Sequence, residues 1–380
     1  MKHIIKILIF IIVFVILTMF FSPSFSKVSI DNIAVVVAIG MDVVSDSNTQ
    51  NNIKVSFQFT DASSVSESGS TEKAPSILKT VSASSIISAI NLINTYIDKE
   101  VTLSHCKLIV FSEEIAKKGI TDDIYTLINN TQVRPTANIV VSKCTAQEYI
   151  ENSKPLFEPL ISKYYEVFVS SSKYTGYTVN AKIGDFFDKM VCHACEPYAI
   201  LGAPSENIGM AVFKDGTLVG ELDAIETLSF MCISNDVKGF LISVPNPSVE
   251  NAYIDVYMTP SKSPKIKVSL VNGSPYVTID CKFSGKIVSM EKNANYLDFK
   301  SLSDVSDLCN RYLEYIFSEY LYKTSKDFKS DISGIGKYAK KLFMTSDSFE
   351  SFDWCDSFSD CFFDVTVKSN VKSASLISNS

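Results

Sequence analysis

Between residues 32 and 149 the sequence alternates between strand patterns and helix patterns, and this alternation restricts the fold more than any other feature. Residues 33–39 form an unbroken apolar run that ends at Gly40, as expected of a buried strand. Residues 53–59 alternate apolar and polar side chains, which is typical of a half-exposed strand. Residues 62–70 are rich in serine and predict a flexible loop. The pattern as a whole predicts an α/β domain.

Capping residues indicate where the helices of this region begin and end. In the first helix isoleucine recurs at helical spacing, at Ile86, Ile90, Ile93 and Ile97. Ser112 is expected to be the N-cap of a second helix. Glutamates occupy the first turn of this helix, lysines occupy its last turn, and Gly119 comes directly after it. The remaining elements are strands at residues 107–111 and 138–141, a helix from Thr121, and a helix after Thr145, whose capping partner would be Glu148. Together they define a predicted N-terminal α/β domain over residues 27–150.

Residues 208–375 predict a C-terminal domain of antiparallel strands with one long helix. Two pairs, Asp215-Gly216 and Asn272-Gly273, are typical of type I′ turns and therefore predict two β-hairpins. The long helix is expected to begin at Ser301 with a capping box. Residues 361–371 predict a final strand.

The segment between these two regions, residues 151–207, contains several prolines and one helical pattern at residues 183–190. It is predicted to be a linker or a small subdomain. The predicted fold class is therefore α+β, that is mixed α/β, with several domains.

The first 26 residues are predicted to be a signal peptide or an N-terminal membrane anchor. Lys2 and Lys6 give a positive start, residues 7–17 are uninterruptedly apolar, and small residues lead to a plausible cleavage point after Ser26. The apolar run is shorter than the roughly 20 residues that comfortably span a bilayer, so cleavage and retention are both left open. Either way the chain is expected to be exported.

The charge of the chain argues against a nucleic-acid partner. The formal net charge is −7, and arginine occurs only at Arg134 and Arg311, which leaves little bidentate phosphate chemistry. The nine cysteines are scattered through apolar stretches, unlike the dense framework of a disulfide scaffold. Most of them are expected to be small buried residues.

Two motifs could carry chemistry with sulfur or imidazole. Cys192 and Cys195 form a CxxC pair around His193, an arrangement that redox thiols and half zinc sites use. No second pair of ligands follows it, so a turn with ordinary thiols is the preferred interpretation. His105 lies just before an apolar strand and is expected to be a hydrogen-bonded structural histidine, because no nucleophile or third group accompanies it.

Other polar clusters have structural interpretations as well. Asp122-Asp123 and the aspartates of residues 353–360 fit helix N-termini or solvated surface better than a pair of catalytic carboxylates. Gly334 and Gly336 form only part of a phosphate-binding pattern, and a tight turn after the long helix explains them better. No catalytic, cofactor-binding or metal-binding residue is therefore predicted, and no cofactor.

Five segments, in this order, resemble the Ger(x)C family, the C subunits of spore germinant receptors. They are residues 32–42, residues 103–120, Arg134-Pro-Thr-Ala, the hairpin at residues 211–220 with Glu226-Thr-Leu after it, and Asp331-Ile-Ser-Gly-Ile-Gly336. The resemblance spans most of the chain after the leader. It implies a mixed α/β protein of several domains on the outer face of the spore inner membrane, without enzymatic activity.

The resemblance further implies two integral-membrane partners, the A-type and B-type subunits of a nutrient receptor. It leaves open whether the chain itself touches the germinant. Residues 20–27 contain no lipobox cysteine, which family members typically carry, so lipid attachment is not predicted. A retained N-terminal helix would be the simplest substitute for it. Two alternatives remain beside this interpretation: an exported solute-binding module, and a thiol or metal enzyme that uses Cys192 and Cys195.

Overall fold

The computed structural model describes residues 4–7, 11–12, 14, 32–44, 53–61, 76–153, 161–204, 206–247, 249–290 and 299–372. The serine-rich loop predicted at residues 62–70 and most of the N-terminal segment lie outside these ranges. Within the described ranges, no helix combines the length and the apolar character that crossing a bilayer requires. The described strands form two sheets, one of nine strands and one of four.

The larger sheet is mixed, with a parallel centre flanked by antiparallel strands. Its strands are β1 (Ile33–Val43), β2 (Ile53–Asp61), β3 (Ser76–Ala83), β4 (Glu100–Thr102), β5 (Leu108–Ser112), β6 (Asn138–Ser142), β7 (Tyr198–Gly202), β8 (Met210–Lys214) and β9 (Thr217–Leu222). They lie in the order β3-β2-β1-β5-β6-β7-β8-β9, and β4 pairs with β1. The pairs β1/β5, β5/β6 and β6/β7 are parallel.

Helices cover this sheet, because the apolar side chains of its strands must be buried. They are α1 (Ile86–Ile93), α2 (Glu113–Lys118), α3 (Thr121–Asn129), α4 (Ala146–Asn152), α5 (Ile161–Ser171) with a 3-10 turn at Ser172–Tyr174, and α6 (Ile183–Met190). Every residue of β5, β6 and β7 is buried. Strands of a parallel sheet covered on both faces read as continuous apolar runs, which explains the sequence pattern at these strands.

The smaller sheet consists of β10 (Phe240–Pro245), β11 (Tyr253–Val271), β12 (Ser274–Met290) and β13 (Phe362–Lys372), in that order. The associated helices are α7 (Ala224–Ile233), α8 (Phe299–Tyr322) with a π-helical turn at Lys323–Asp327, α9 (Gly336–Ala339), α10 (Ser346–Phe352) and α11 (Trp354–Ser357), with 3-10 turns at Lys340–Leu342 and Phe358–Asp360. The pairs β10/β11 and β11/β12 are antiparallel, whereas β13 joins β12 in parallel.

Helix α8 protects the exposed edge of β13. Alternate backbone N–H groups of the strand donate to side chains one helical turn apart: Val367 to Glu314 at 2.9 Å, Ser369 to Asn310 at 2.7 Å, and Val371 to Ser306 at 3.1 Å. An edge strand with unpaired N–H groups can pair with a strand of another molecule. Here the side chains of α8 accept hydrogen bonds from these groups instead.

The fold class predicted from the sequence is confirmed, and most of the predicted helices and strands are present, with ends that differ by up to four residues. Ser112 accepts the N–H of Ile115 as the N-cap of α2, and both predicted turns have positive φ angles, 51° and 74° at Asp215 and Gly216 and 52° and 89° at Asn272 and Gly273. The predicted start of the long helix at Ser301 is wrong, because α8 already begins at Phe299. Helix α1 ends at Ile93, so Ile97 lies beyond it.

The larger sheet extends across residue 207, because the hairpin β8/β9 continues it next to β7. The segment at residues 151–207 supplies α5, α6 and β7. The division of the chain at residues 26, 150 and 207 stays a prediction.

Candidate functional site at the junction of two motifs

The CxxC loop and the Asp331–Gly336 segment, far apart in sequence, lie against each other. The backbone N–H of Glu196, next to Cys195, donates to the carbonyl oxygen of Asp331 at 3.0 Å. A Cβ atom added at Gly336 would lie 2.6 Å from the carbonyl oxygen of Ala194. Glycine is therefore required at this position by the close approach of the two backbones.

Asp331 is the centre of this junction and is 1% exposed. Its carboxylate accepts the backbone N–H groups of Ile335 at 3.0 Å and Gly336 at 2.7 Å, and the indole N–H of Trp354 at 2.8 Å. Burial raises the pKa of Asp331 to about 6, although these donors act in the opposite direction. The carboxylate thus ties the turn after α8 to the aromatic side chain at the start of α11.

A second buried carboxylate joins the same junction to the hairpin β8/β9. Glu196 is buried, and its Oε2 atom accepts the backbone N–H of Asp215 in the type I′ turn at 3.1 Å. Burial raises the pKa of Glu196 to about 7. The hydroxyl of Ser330 donates to the carbonyl oxygen of Phe213 at 2.6 Å, so the chain segment before Asp331 also contacts the hairpin.

A cleft of about 350 Å³ opens beside the junction. Lys189 of α6 lies in its wall with the ammonium nitrogen 3.7 Å from the ring centroid of Tyr198, a cation–π contact. Burial lowers the pKa of Lys189 to about 8. Asp236 and Lys337 complete the charged part of the wall. Ammonium and carboxylate groups in one cleft could bind a small polar molecule.

Burial disfavours the reactive thiolate form of Cys195 at the junction. All nine cysteines are free, and Cys195 is buried. Burial raises the pKa of the Cys195 thiol to about 12, and a hydrogen bond with Cys192 acts in the same direction. Because the thiolate is the nucleophile and the metal ligand, such a thiol is a poor candidate for either role. Among the residues that the structure describes, no three His, Cys, Asp or Glu side chains are placed to hold a metal ion.

The remaining candidates from the sequence are dispersed. His193 is exposed, while the Nδ1 atom of His105 is buried without a hydrogen-bond partner, so the hydrogen bond predicted for it is missing at that atom. Asp122 and Asp123 open α3, as predicted. Asp353 caps α11 by accepting the N–H of Asp356 at 3.3 Å. Gly334 has a φ angle of 68° in the turn before α9, in agreement with the turn interpretation.

Sequence reasoning missed the residues that assemble the junction. Lys189, Glu196, Tyr198 and Trp354 were not themselves candidate residues, although Glu196 directly follows the CxxC pair and Trp354 lies in the acidic segment at residues 353–360. Trp354 is the only tryptophan of the chain, and a single large aromatic residue beside an acidic segment was the one available signal. Its contact with Asp331 bridges 23 residues and depends on tertiary structure.

A further buried carboxylate lies at the carboxyl end of β1. Asp42 accepts the backbone N–H groups of Ala146 at 2.6 Å and Gln147 at 3.0 Å, at the start of α4. The carboxylate therefore accepts hydrogen bonds from N–H groups that lack a partner within the helix, and its negative charge interacts favourably with the positive end of the helix dipole. A cleft of about 500 Å³ lies next to it. The role of Asp42 is to position α4 on the sheet.

Two family models of spore germination proteins match this chain, one after the other. The family model described as "Spore germination protein N-terminal domain" matches residues 26–199, and the one described as "Spore germination B3/ GerAC like, C-terminal" matches residues 208–375. Because the two matches cover most of the sequence, the chain belongs to the Ger(x)C family, as the resemblance indicated.

Two known proteins are similar over most of their length. The chain is 22% identical over 334 residues to "Spore germination protein KC" of Bacillus subtilis (strain 168), covering 82% of this chain and 81% of the relative. The solved structure described as "Crystal Structure of the GerBC protein" has a TM-score of 0.50 and 16% identity, and the match covers 88% of this chain and 98% of that chain. The structural likeness shows the common fold.

Proposed function

We propose that the chain is the non-enzymatic C-type subunit of a spore germinant receptor, needed for nutrient-triggered germination. It is exported, attached by its N-terminal segment to the outer face of the spore inner membrane, and docked on the integral-membrane A-type and B-type subunits. The observation that carries this proposal is the match of both family models, one after the other, along residues 26–199 and 208–375. The relative named as a spore germination protein supports it.

The chemistry of the candidate site agrees with a role in binding. The buried carboxylates of Asp331 and Glu196 are each hydrogen-bonded to backbone N–H groups and serve to hold loops together. Burial raises the pKa of Cys195 and so disfavours the thiolate that the alternative thiol enzyme would need. The protein is therefore proposed to act by contact with other molecules.

Co-purification from spore membranes tests the proposal. A chain with a C-terminal affinity tag should be recovered in the membrane fraction together with integral-membrane proteins of one receptor, and its deletion should abolish the response to a nutrient. The tagged chain should keep germination intact as a control. Recovery of the intact polypeptide from the cytosol, or of the membrane-bound chain without any integral-membrane protein, would contradict the proposal.

The junction cleft favours a second candidate function, that of a solute-binding module. Lys189, Asp236 and Lys337 place both signs of charge around about 350 Å³, which suits a small zwitterionic molecule such as an amino acid. Isothermal titration with amino acids should then give binding that is lost in Lys189→Met, whereas Lys118→Met, at an exposed position on α2, should bind normally. Absence of any binding to the unmodified chain would remove this candidate.

A further inference from the structure

The outer face of the smaller sheet carries a dense group of lysines, although the chain as a whole has a formal charge of −7. Between residues 274 and 288 of β12 burial alternates: the odd-numbered residues are buried, and the even-numbered residues, on the other side, are exposed or half-exposed. The exposed lysines on this side belong to three neighbouring strands, and we call them the lysine face: Lys262, Lys265, Lys267, Lys282, Lys286, Lys368 and Lys372.

Strand register shows that these lysines share one face. Lys262 pairs with Lys282, and Lys282 pairs with Lys368, so three ammonium groups follow one row across the sheet. Lys286 pairs with Lys372 in a second row. Directly paired residues of neighbouring strands project to the same side, and like charges in such positions repel each other. The arrangement therefore lowers stability unless an anion lies over it.

Few carboxylates balance these charges. The same side of the sheet carries three, Asp255, Asp280 and Asp364, so the face has an excess of four positive charges. In the part of the chain that the structure describes, no member of the lysine face has a carboxylate oxygen within 4 Å. With respect to the described residues, these ammonium groups can therefore bind an external anion.

Aromatic and apolar side chains accompany the lysines. Tyr276 and Phe362 are paired on the same side and are 37% and 55% exposed. At the tip of the β11/β12 hairpin, Leu270 and Val271 are 42% and 53% exposed. Aromatic residues at the level of lipid headgroups, next to lysines, are typical of surfaces that lie on a membrane. Lysine is also suited to binding a layer of mobile lipid headgroups, because its ammonium group is a point charge without the directed hydrogen-bond geometry of arginine.

We propose that the lysine face lies on the surface of a membrane that contains anionic phospholipids, with the β11/β12 hairpin tip at the headgroup level. This contact is additional to the N-terminal attachment and rests only on the proposed location at a membrane. A lysine near an anionic bilayer is attracted strongly enough to shift the equilibrium about fivefold. Several lysines acting together would fix the orientation of the smaller sheet towards the bilayer.

Lysine labelling of the full chain in vesicles tests this contact. The chain is reconstituted into vesicles of phosphatidylcholine mixed with phosphatidylglycerol, and into vesicles of phosphatidylcholine alone, and labelled with an amine-reactive reagent. The lysine face should be protected in the anionic vesicles only, and protection should disappear at about 1 M salt, where charges are screened within ~3 Å. Lys118 and Lys340, which are exposed elsewhere, should label equally in both.

A charge variant provides a matched control. Lys282→Gln with Lys368→Gln should reduce the protection of the remaining face lysines about 25-fold, at about fivefold for each lysine, whereas Lys118→Gln with Lys340→Gln should leave it unchanged. Equal labelling of the face in both vesicle types would overturn the proposal. Protection by a soluble acidic polypeptide but not by vesicles would also overturn it, in favour of a protein partner. Either result would leave the receptor role standing if the integral-membrane subunits still co-purify.

Discussion

Replacing Asp331 with asparagine should change how the stability of the protein depends on pH. Burial raises the pKa of this carboxyl group in the folded protein to about 6 from the ordinary value of 3.8. A carboxyl group with a raised pKa destabilises the folded state when it is ionised. The cost is complete above the folded pKa, and it disappears as the pH falls below the unfolded pKa. Lowering the pH should therefore stabilise the wild-type protein relative to the variant.

The magnitude follows from the two pKa values. A difference of about two units corresponds to about 3 kcal/mol of destabilisation at pH 7. At pH 5 roughly half of this cost remains, so the wild-type protein should gain about 1–2 kcal/mol on the variant between these two values. Glu196 and Asp123 have pKa values raised to about 7 and about 6 and titrate in the same range. Asp123 is present in both proteins and does not depend on Asp331, so its contribution cancels. The charge of Asp331 helps to raise the pKa of Glu196, so the variant also loses a small part of the Glu196 penalty, which acts in the same direction as the main effect.

Urea unfolding followed by tryptophan fluorescence is the suitable assay. Trp354 is the only tryptophan, and its indole N–H donates to Asp331, so the signal reports on the site itself. The asparagine amide must face one of the three N–H donors, which adds a cost of about 1–3 kcal/mol that does not depend on pH. If the stabilities of the two proteins change in parallel between pH 7 and pH 5, the buried carboxylate does not carry the predicted charge penalty.

The junction gives two further predictions. Gly336→Ala would place its Cβ atom 2.5 Å from the indole of Trp354, and the overpacking should cost about 1–3 kcal/mol in urea unfolding; an unchanged midpoint would contradict the packing at Ala194 and Trp354. Because burial raises the pKa of Cys195 to about 12, this thiol should resist iodoacetamide at neutral pH in the folded protein and should react after unfolding. Replacing Cys192 and Cys195 with serine should leave germination unchanged. Rapid alkylation of the native protein, or loss of germination, would restore the thiol-enzyme alternative.

Local features of this fold could be predicted because their causes lie within a few residues. The turn at Asp215-Gly216 needs positive φ angles, which the two residue types favour, so the hairpin could be located from the sequence. Ser112 caps α2 through an N–H three residues away. The start of α8 was misplaced because Ser301 resembles an N-cap, yet the helix already begins at Phe299. The difference of two residues is of the size by which the ends of a helix fray.

Long-range pairing decided the rest of the sheet architecture. The final strand was expected from its residues, but its parallel placement beside β12 results from the long connection through α8 that returns it in the same direction. Likewise the hairpin β8/β9 could be predicted, whereas its place in the larger sheet beside β7 could not. A strand's sequence specifies its faces but seldom its neighbour.

The sequence by itself determined the family, the succession of helices and strands, and the acidic character of the chain, because each depends on residue types and short spacings. Only the tertiary structure brought Cys195 next to the Asp331–Gly336 segment and buried the Asp331 carboxylate against Trp354. Only the register of β11, β12 and β13 collected seven scattered lysines on one face. A hydrogen bond, a burial penalty or a charged surface depends on distances in space, and those distances are fixed only when the whole chain packs.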